Sequence, residues 1–208
     1  MESDGIHYNF GPYLWSTQLP KNIIDRLLEV GLRSKDDHSM HLAGVMEDEK
    51  KYHIQFQEEF VKLITPYINS YVEKSKHHFK WQMYENIKEI RLEALWINRM
   101  RSGECNPPHI HHGDLSFVIF LKVPEELKTE VENFKGTSSG PGTIEFSYGE
   151  FSPHALSKHS FLPEVGQMFI FPATLSHSVN TFKSDVERIS VSGNFIFACD
   201  KYNTSYFR

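Results

Sequence analysis

The sequence predicts an α+β protein that is mainly β: an antiparallel sandwich or jelly roll with N-terminal helices packed on one sheet. Two observations carry this prediction. From about residue 90 onward, apolar segments of strand length alternate with Gly- and Pro-rich turns, and no helical pattern intervenes. Before residue 90, apolar residues recur instead at the three-and-four spacing of amphipathic helices. Helices first and strands afterwards indicate that the helices cover the outer face of one sheet.

Two helices are expected in the first half of the chain. The first follows Pro20 and is expected to stop at Gly31. The second covers the region 56–71, where seven apolar side chains share one helical face: Phe56, Phe60, Leu63, Ile64, Tyr67, Ile68 and Tyr71. Pro66 falls inside this run and is expected to kink or interrupt the helix.

Five segments in the second half have the length and composition of strands. They cover residues 90–100, 115–123, 143–148, 167–171 and 188–197. The polar, Gly- and Ser-rich stretch Lys135–Gly142 separates the second and third of them. This stretch is either a plain flexible connection or a lid over a binding site.

The sequence predicts a single domain over residues 1–208. Residues 1–89 would form the supporting helices, and residues 90–200 would form the jelly-roll core. It has 208 residues, and no Pro/Gly/Ser linker divides it. The hydrophobic fraction is 39% and the aromatic fraction 13%, enough apolar surface for a core. These values exclude a disordered or collagen-like chain.

The net charge and the cysteine content limit which partners and which cellular compartment are expected. The net charge is −5, from 22 basic and 27 acidic side chains, which argues against a dedicated duplex-nucleic-acid binder. Cys105 and Cys199 are far apart in sequence, so a reducing compartment is expected. No signal peptide and no membrane-spanning apolar run is visible. We therefore expect a soluble, cytoplasmic protein without a membrane partner; nothing in the sequence predicts its oligomeric state.

A candidate metal site precedes the most apolar strand. In an extended chain, residues two apart project to the same face, so His112 and Asp114 point together. One imidazole and one carboxylate are two of the three ligands in the facial Fe(II) site of non-haem oxygenases. His177 is the best third ligand, because it lies just past a buried-looking strand. We therefore expect His112, Asp114 and His177 to hold the metal and to be the catalytic residues.

Arg188 follows His177 by eleven residues and opens a strand of mixed character. One face of this strand is polar and the other apolar. The polar side chains are Arg188, Ser190, Ser192 and Asn194. The polar face could simply meet solvent. If it lies inside the sandwich, the buried guanidinium needs an anionic partner, and a dicarboxylate co-substrate would supply one.

These residues carry a family resemblance. The ordered set His112-Gly113-Asp114, His177 and Arg188 resembles the Fe(II)- and 2-oxoglutarate-dependent dioxygenases of the double-stranded β-helix fold. Two segments are similar to the prolyl-4-hydroxylase-like branch and to a group of uncharacterised, often viral, oxygenases. Their sequences are NPPHIHHGDLSFVIFLKVP and GQMFIFPATLSHSV. The resemblance is specific over residues 96–197 and diffuse over the N-terminal helices.

The resemblance implies an oxidoreductase with Fe(II) as cofactor and with 2-oxoglutarate and dioxygen as co-substrates. Hydroxylation, with release of succinate and CO2, is the expected outcome. Arg188 would bind the distal carboxylate of 2-oxoglutarate, with Ser190 as its hydroxyl neighbour. Asn98 matches a co-substrate contact of the nucleic-acid-dealkylating relatives, and Asn194 lies on the same polar face. The substrate class stays open, although the acidic balance favours a peptide or small molecule.

Several alternatives remain open from the sequence. A turn at Pro107-Pro108 would shift the register and bring His109 or His111 into the site instead of His112. His154 and His159 fit a surface loop better than a substrate contact. The chain could also be a cupin-like metal-dependent hydrolase or isomerase, or a jelly-roll binding module without activity. Neither of these two rivals accounts for both the intact ligand set and Arg188.

Overall fold

A computed structural model describes residues 11–39, 43–79 and 87–199 of the chain. The first ten residues, on which the expectation of no signal peptide rests, lie outside this range. The helices are α1 (Lys21–Leu32), α2 (Ile54–Phe79) and α3 (Glu126–Glu132). The strands are β1 (Trp15–Gln18), β2 (Asp36–Asp37), β3 (Glu49–Lys51), β4 (Ile87–Met100), β5 (Asn106–His109), β6 (Leu115–Lys122), β7 (Ile144–Ser147), β8 (Lys158–Phe161), β9 (Gln167–Pro172), β10 (Ser176–Val179) and β11 (Arg188–Cys199).

The strands form two antiparallel sheets, and the predicted jelly roll is confirmed. The larger sheet has the order β1-β9-β6-β11-β4-β3-β2, and the smaller has the order β5-β10-β7-β8. Three strands of the larger sheet, β1 to β3, come from the part of the chain in which only helices were expected. These strands are only two to four residues long, which is too short to leave an alternating pattern in the sequence.

The main core lies between the larger sheet and the helices. Apolar side chains of α1 and α2, such as Leu27, Phe60 and Ile64, pack against outward-facing residues of the sheet, such as Phe117 and Val191. A second apolar cluster, which includes Phe120, Phe146 and Phe169, lies between the two sheets. The larger sheet is therefore buried on both faces, and this accounts for the unbroken apolar run of β6.

Both helices extend past the points where the sequence suggested a break. The helix α2 continues through Pro66, whose ring is exposed. The hydroxyl groups of Thr65 and Ser70 donate to backbone carbonyls four residues earlier in this helix. Gly31 lies inside α1 and does not end it. Its missing side chain serves packing instead, because a Cβ there would clash with the Tyr52 hydroxyl and lie 2.6 Å from Cδ1 of Ile97.

Among the described residues, the structure shows no helix with the length and apolar character needed to cross a bilayer.

Gly31→Ala is expected to destabilise the protein by about 1–3 kcal/mol, the usual cost of overpacking a core. The sign of this change in the free energy of unfolding is informative, because Gly→Ala inside a helix normally stabilises the helix by roughly 0.5–1 kcal/mol. Leu32→Ala, at the neighbouring exposed position, should change the free energy of unfolding by less than about 0.5 kcal/mol. Urea denaturation of the three proteins measures these effects. A stabilised Gly31→Ala variant would contradict the packing described for α1 against β4.

Candidate metal centre and co-substrate pocket

The centre of the larger sheet presents a polar surface to the space between the sheets. Along β11, Ile189 and Val191 face the helices, whereas Ser190 and Ser192 face inward. The inward residues pair with β4 in register: Arg188 with Met100, Ser190 with Asn98, and Ser192 with Trp96. Arg188, Ser190 and Ser192 of this polar face therefore line an internal pocket and do not face the solvent.

Three histidines meet at the mouth of this pocket. One ring nitrogen from each of His109, His111 and His177 lies within 4.8 Å of the others, close enough to share a metal ion. The ring centroids of His109 and His177 are 4.3 Å apart, and those of His111 and His177 are 5.0 Å apart. Within the described part of the chain, no other group of three His, Cys, Asp or Glu residues has this geometry.

Strand pairing in the smaller sheet creates this cluster. His109 ends β5 and lies directly opposite His177 of β10 in the antiparallel register. Because β5 is the edge strand, Pro107 and Pro108 occupy it without interrupting a central ladder. His111 is held next to the pair by its backbone N–H, which donates to the carbonyl of Ala173 at 2.9 Å.

Backbone contacts select the tautomers of two of the histidines. Nδ1 of His109 lies 2.7 Å from the carbonyl oxygen of Pro107, and Nδ1 of His177 lies 3.0 Å from that of Leu175. Only a protonated nitrogen makes a hydrogen bond to a carbonyl, so Nδ1 carries the proton in both rings. The lone pair is then on Nε2, which is the arrangement found in metal-binding histidines.

The three imidazoles are neutral at physiological pH. Burial, followed by the positive charge of the neighbouring histidines, lowers the pKa of His177 to about 3 and that of His111 to about 4. Burial also lowers the pKa of His109, against a smaller opposing effect from its bond to Pro107. Neutral imidazole is the form that binds a metal ion, so the cluster needs no proton release before it can do so.

The structure does not place His112 and Asp114 in this cluster, although the sequence favoured them as ligands. His112 is exposed. A carboxylate oxygen of Asp114 accepts the backbone N–H of Phe197 at 2.7 Å, and the backbone N–H of Asp114 donates to Phe195. Between them, Gly113 has φ of +96°, and a Cβ there would lie 2.9 Å from the Phe195 carbonyl. The segment around Gly113 and Asp114 thus attaches the chain to β11. The preceding residues His109 and His111 lie next to His177.

The sequence also contained a signal for the pair that lies in the cluster. His109 and His111 are themselves two residues apart, the same spacing as His112 and Asp114. The shifted register that Pro107-Pro108 left open is the one that the structure adopts. Choosing between these two adjacent pairs required knowing where β5 ends.

Arg188 is buried at the inner end of the pocket. It is 3% exposed, and its guanidinium donates to the Gly142 carbonyl at 2.8 Å and to Sδ of Met100 at 3.2 Å. The guanidinium carbon lies 5.3 Å from the centre of the Phe120 ring. Burial lowers its pKa to about 10, which leaves it charged at neutral pH. No carboxylate of the described residues pairs with this cation, and its Nε has no hydrogen-bond partner.

The other expected co-substrate residues divide into two groups. The amide of Asn98 donates to the Ser192 hydroxyl at 3.1 Å and lies 3.5 Å from that of Ser190, and all three residues line the pocket. Asn194 lies further along β11, beyond Ser192, where its amide oxygen accepts the Ser116 hydroxyl at 2.8 Å. Asn194 is thus occupied within the sheet and is not among the residues that line the pocket.

Two other features of the sequence lie away from the histidine cluster. The side chains of His154 and His159 are exposed. The last residues of the stretch Lys135–Gly142 are buried, and the amide of Asn180 donates to the Ser139 hydroxyl and the Gly140 carbonyl. Any lid movement would therefore involve the first half of this stretch, and a lid role stays a prediction.

Comparison with known proteins supports the fold. A sequence model of the family described as "Putative 2OG-Fe(II) oxygenase" matches residues 94–194. This segment contains the three clustered histidines, Asn98 and Arg188. No curated protein matches the sequence. The match covers 101 of the 208 residues. It supports the resemblance found in the sequence to the 2-oxoglutarate-Fe(II) oxygenases, a class of oxidoreductases that use Fe(II) as cofactor and 2-oxoglutarate and dioxygen as co-substrates.

Solved structures share the fold at low sequence identity. The collagen prolyl hydroxylase of Paramecium bursaria Chlorella virus-1, in its 2-oxoglutarate complex, has a TM-score of 0.57 and 14% identity; the alignment covers 89% of this chain and 96% of that one. A prolyl-4-hydroxylase of Pseudomonas putida has a TM-score of 0.53 and 10% identity, with 88% and 91% covered. The α-ketoglutarate-dependent epimerase SnoN of nogalamycin biosynthesis has a TM-score of 0.57 and 15% identity, with 93% and 83% covered.

Replacing Asp114 by Ala should lower the free energy of unfolding by about 1–2 kcal/mol, because it removes a charged acceptor from the half-buried Phe197 N–H. Asp114→Asn keeps an acceptor oxygen and should recover most of this loss. Urea denaturation measures both effects. An Asp114→Ala variant as stable as the wild type would contradict the anchoring role that the structure gives this carboxylate.

Proposed function

We propose that the protein is a hydroxylase in which His109, His111 and His177 hold Fe(II) and Arg188 binds the distal carboxylate of 2-oxoglutarate. Its substrate would be peptidyl or a small molecule, and the products would include succinate and CO2. The observation that carries the proposal is a single pocket with three neutral imidazoles at its mouth and an unpaired, buried cation at its inner end. Within it, Asn98 and Ser190 would contact the co-substrate.

The donor set fits the metal. Imidazole nitrogen is a suitable ligand for Fe(II), and three ligands on one side of the ion leave the opposite positions open. The structure supports histidine at the position where the common facial site has a carboxylate. Three neutral ligands leave the full 2+ charge of the ion uncompensated, so a carboxylate of the co-substrate would offset part of it. When bound, iron and 2-oxoglutarate together activate dioxygen for substrate oxidation.

The chain's own residues position the co-substrate and keep water away. Burying an unpaired charge costs several kcal/mol, which a carboxylate of the ligand would offset by a forked pair of hydrogen bonds. Phe120, Val118 and Ile144 provide apolar walls. In this low-polarity environment the contact between Arg188 and a carboxylate gains strength.

Three histidines alone would also suit a hydrolytic zinc centre, which often has three protein ligands and one open position. The cupin-like hydrolase is therefore the second candidate function. It provides no anion for Arg188, however, whereas a dicarboxylate co-substrate does. The buried cation is the observation that favours the oxygenase.

Alanine replacement of His109, His111 or His177 should each weaken metal binding by at least about 10-fold, since one of three protein ligands is lost. His112→Ala is the matched control, because it removes a neighbouring exposed imidazole and should bind metal like the wild type. Titration with Co(II) or Fe(II) under anaerobic conditions measures the affinities. Loss of metal binding in His112→Ala, with metal binding of His109→Ala unaffected, would contradict the proposed ligands and favour His112 and Asp114 instead.

Arg188→Leu should weaken 2-oxoglutarate binding by roughly 30- to 5,000-fold, because truncating one partner of a buried charge pair costs about 2–5 kcal/mol. Arg188→Lys should recover only part of the affinity, since an ammonium cannot reproduce the forked contact. Metal binding should survive in both variants. Calorimetry with Mn(II) in place of Fe(II) prevents turnover during the measurement. Near wild-type affinity in Arg188→Leu would remove the co-substrate assignment.

A further inference from the structure

A buried carboxyl group that no sequence motif indicated also lines the pocket. Glu49 lies on the three-residue strand β3 and pairs in register with Asn98 of β4. Directly paired residues of antiparallel strands project to the same face, so Glu49 shares the inward face with Asn98. Its side chain is 0% exposed, and neither carboxylate oxygen has a hydrogen-bond partner within the described residues.

Other partly buried carboxylates of this protein are satisfied. Glu130 accepts hydrogen bonds from the backbone of Lys183 and from Ser184, and Glu145 accepts from Lys158 and Ser139. A buried carboxyl group without any such contact costs free energy, which a protein tolerates where a ligand makes the missing contact. Glu49 is therefore better explained as a ligand contact than as part of the framework.

Glu49 is placed away from the co-substrate anchor. Arg188 lies on β11, two strands from β3 in the order β11-β4-β3. Neighbouring strands are about 4.8 Å apart, so the two backbones are separated by roughly 10 Å. The indole of Trp96 lies on the side of Glu49 that leads to the metal centre, with its ring centroid 5.7 Å from that of His111. The carboxyl group thus faces the part of the pocket that 2-oxoglutarate on Arg188 would leave free.

The surroundings of Glu49 favour a positive partner. Burial, followed by the negative charges of Glu104 and Asp37, raises the pKa of Glu49 to about 7. A cation bound next to it would relieve this repulsion. The face of an indole such as that of Trp96 attracts a cation as well. Glu49 and Trp96 both line the pocket, and a carboxyl group together with an indole is complementary to a charged nitrogen.

We propose that Glu49 binds a cationic nitrogen of the primary substrate, an ammonium or guanidinium group. The proposal rests on the function proposed above and narrows its substrate to a basic peptide side chain or a small amine. Glu49 is then a specificity residue, which selects the substrate by charge while Arg188 selects the co-substrate. A neutral analogue of the same shape leaves the buried carboxylate unpaired and is rejected for that reason.

Binding of matched probes to the protein loaded with Mn(II) and 2-oxoglutarate tests the proposal. The cationic probes are N-acetyl-arginine amide and N-acetyl-lysine amide. Their neutral counterparts are the citrulline and norleucine compounds. Calorimetry should show at least one cationic probe binding about 30-fold or more tightly than its counterpart, the loss expected when a buried charge pair is broken. Glu49→Gln should abolish this preference while leaving 2-oxoglutarate affinity unchanged.

Glu47→Gln is the matched control, because it removes an exposed carboxylate two residues away on the same segment. This variant should retain the preference for cationic probes. Equal binding of cationic and neutral probes, no binding of either cationic probe, or an unchanged preference in Glu49→Gln would overturn the proposal. A wild type that binds neither Mn(II) nor 2-oxoglutarate would overturn the proposed function together with it, so the two failures are distinguishable.

Thermal unfolding without ligands separates a ligand contact from a structural role. Glu49→Met removes the unpartnered carboxyl group and keeps a side chain of similar length. If Glu49 serves only a ligand, the Tm of this variant should equal or exceed that of the wild type. A clearly lower Tm would show that Glu49 supports the fold and would overturn its assignment to the substrate.

Discussion

The central strand β11 has to satisfy two environments at once, because it lies in the middle of a sheet that is covered on both faces. Its apolar residues, such as Ile189 and Val191, complete the core under the helices. Its alternate residues carry the guanidinium and hydroxyl groups of the pocket. The strict two-residue period of a strand makes this division possible. A shift of one residue would bury the apolar residues in the pocket and push Arg188 into the helical core.

Charge balance connects the two ends of the pocket. The histidine cluster offers neutral ligands, and the inner end offers a cation that no acidic side chain of the described residues neutralises. The protein thus supplies a neutral imidazole where the common facial site supplies a carboxylate. A dicarboxylate would bring one carboxylate to the metal and one to Arg188, so metal and co-substrate binding should support each other. Among the described residues that line this space, Glu49 is the one with an acidic side chain, and it lies on the side assigned to the substrate.

The sequence predicted the fold, whereas the residues that it favoured as ligands, His112 and Asp114, do not lie in the histidine cluster. Long, alternating segments such as 188–197 reveal strands and their two faces, but only the family resemblance favoured a pocket for the polar face that carries Arg188. His109 and His111 could not be separated from His112 and Asp114, because both pairs have the same spacing and the choice depends on where the edge strand ends. Glu49 lies in a strand of three charged residues, where periodicity gives no signal. Its burial follows only from tertiary pairing with Asn98.

A crystal structure of the protein with Fe(II) and 2-oxoglutarate, obtained under anaerobic conditions, tests the central claim most directly. The anomalous signal of iron locates the metal independently of the protein ligands. The account predicts iron bound to the Nε2 atoms of His109, His111 and His177, and the distal carboxylate of 2-oxoglutarate paired with Arg188. Iron bound by His112 and the carboxylate of Asp114, or 2-oxoglutarate bound away from Arg188, would contradict it.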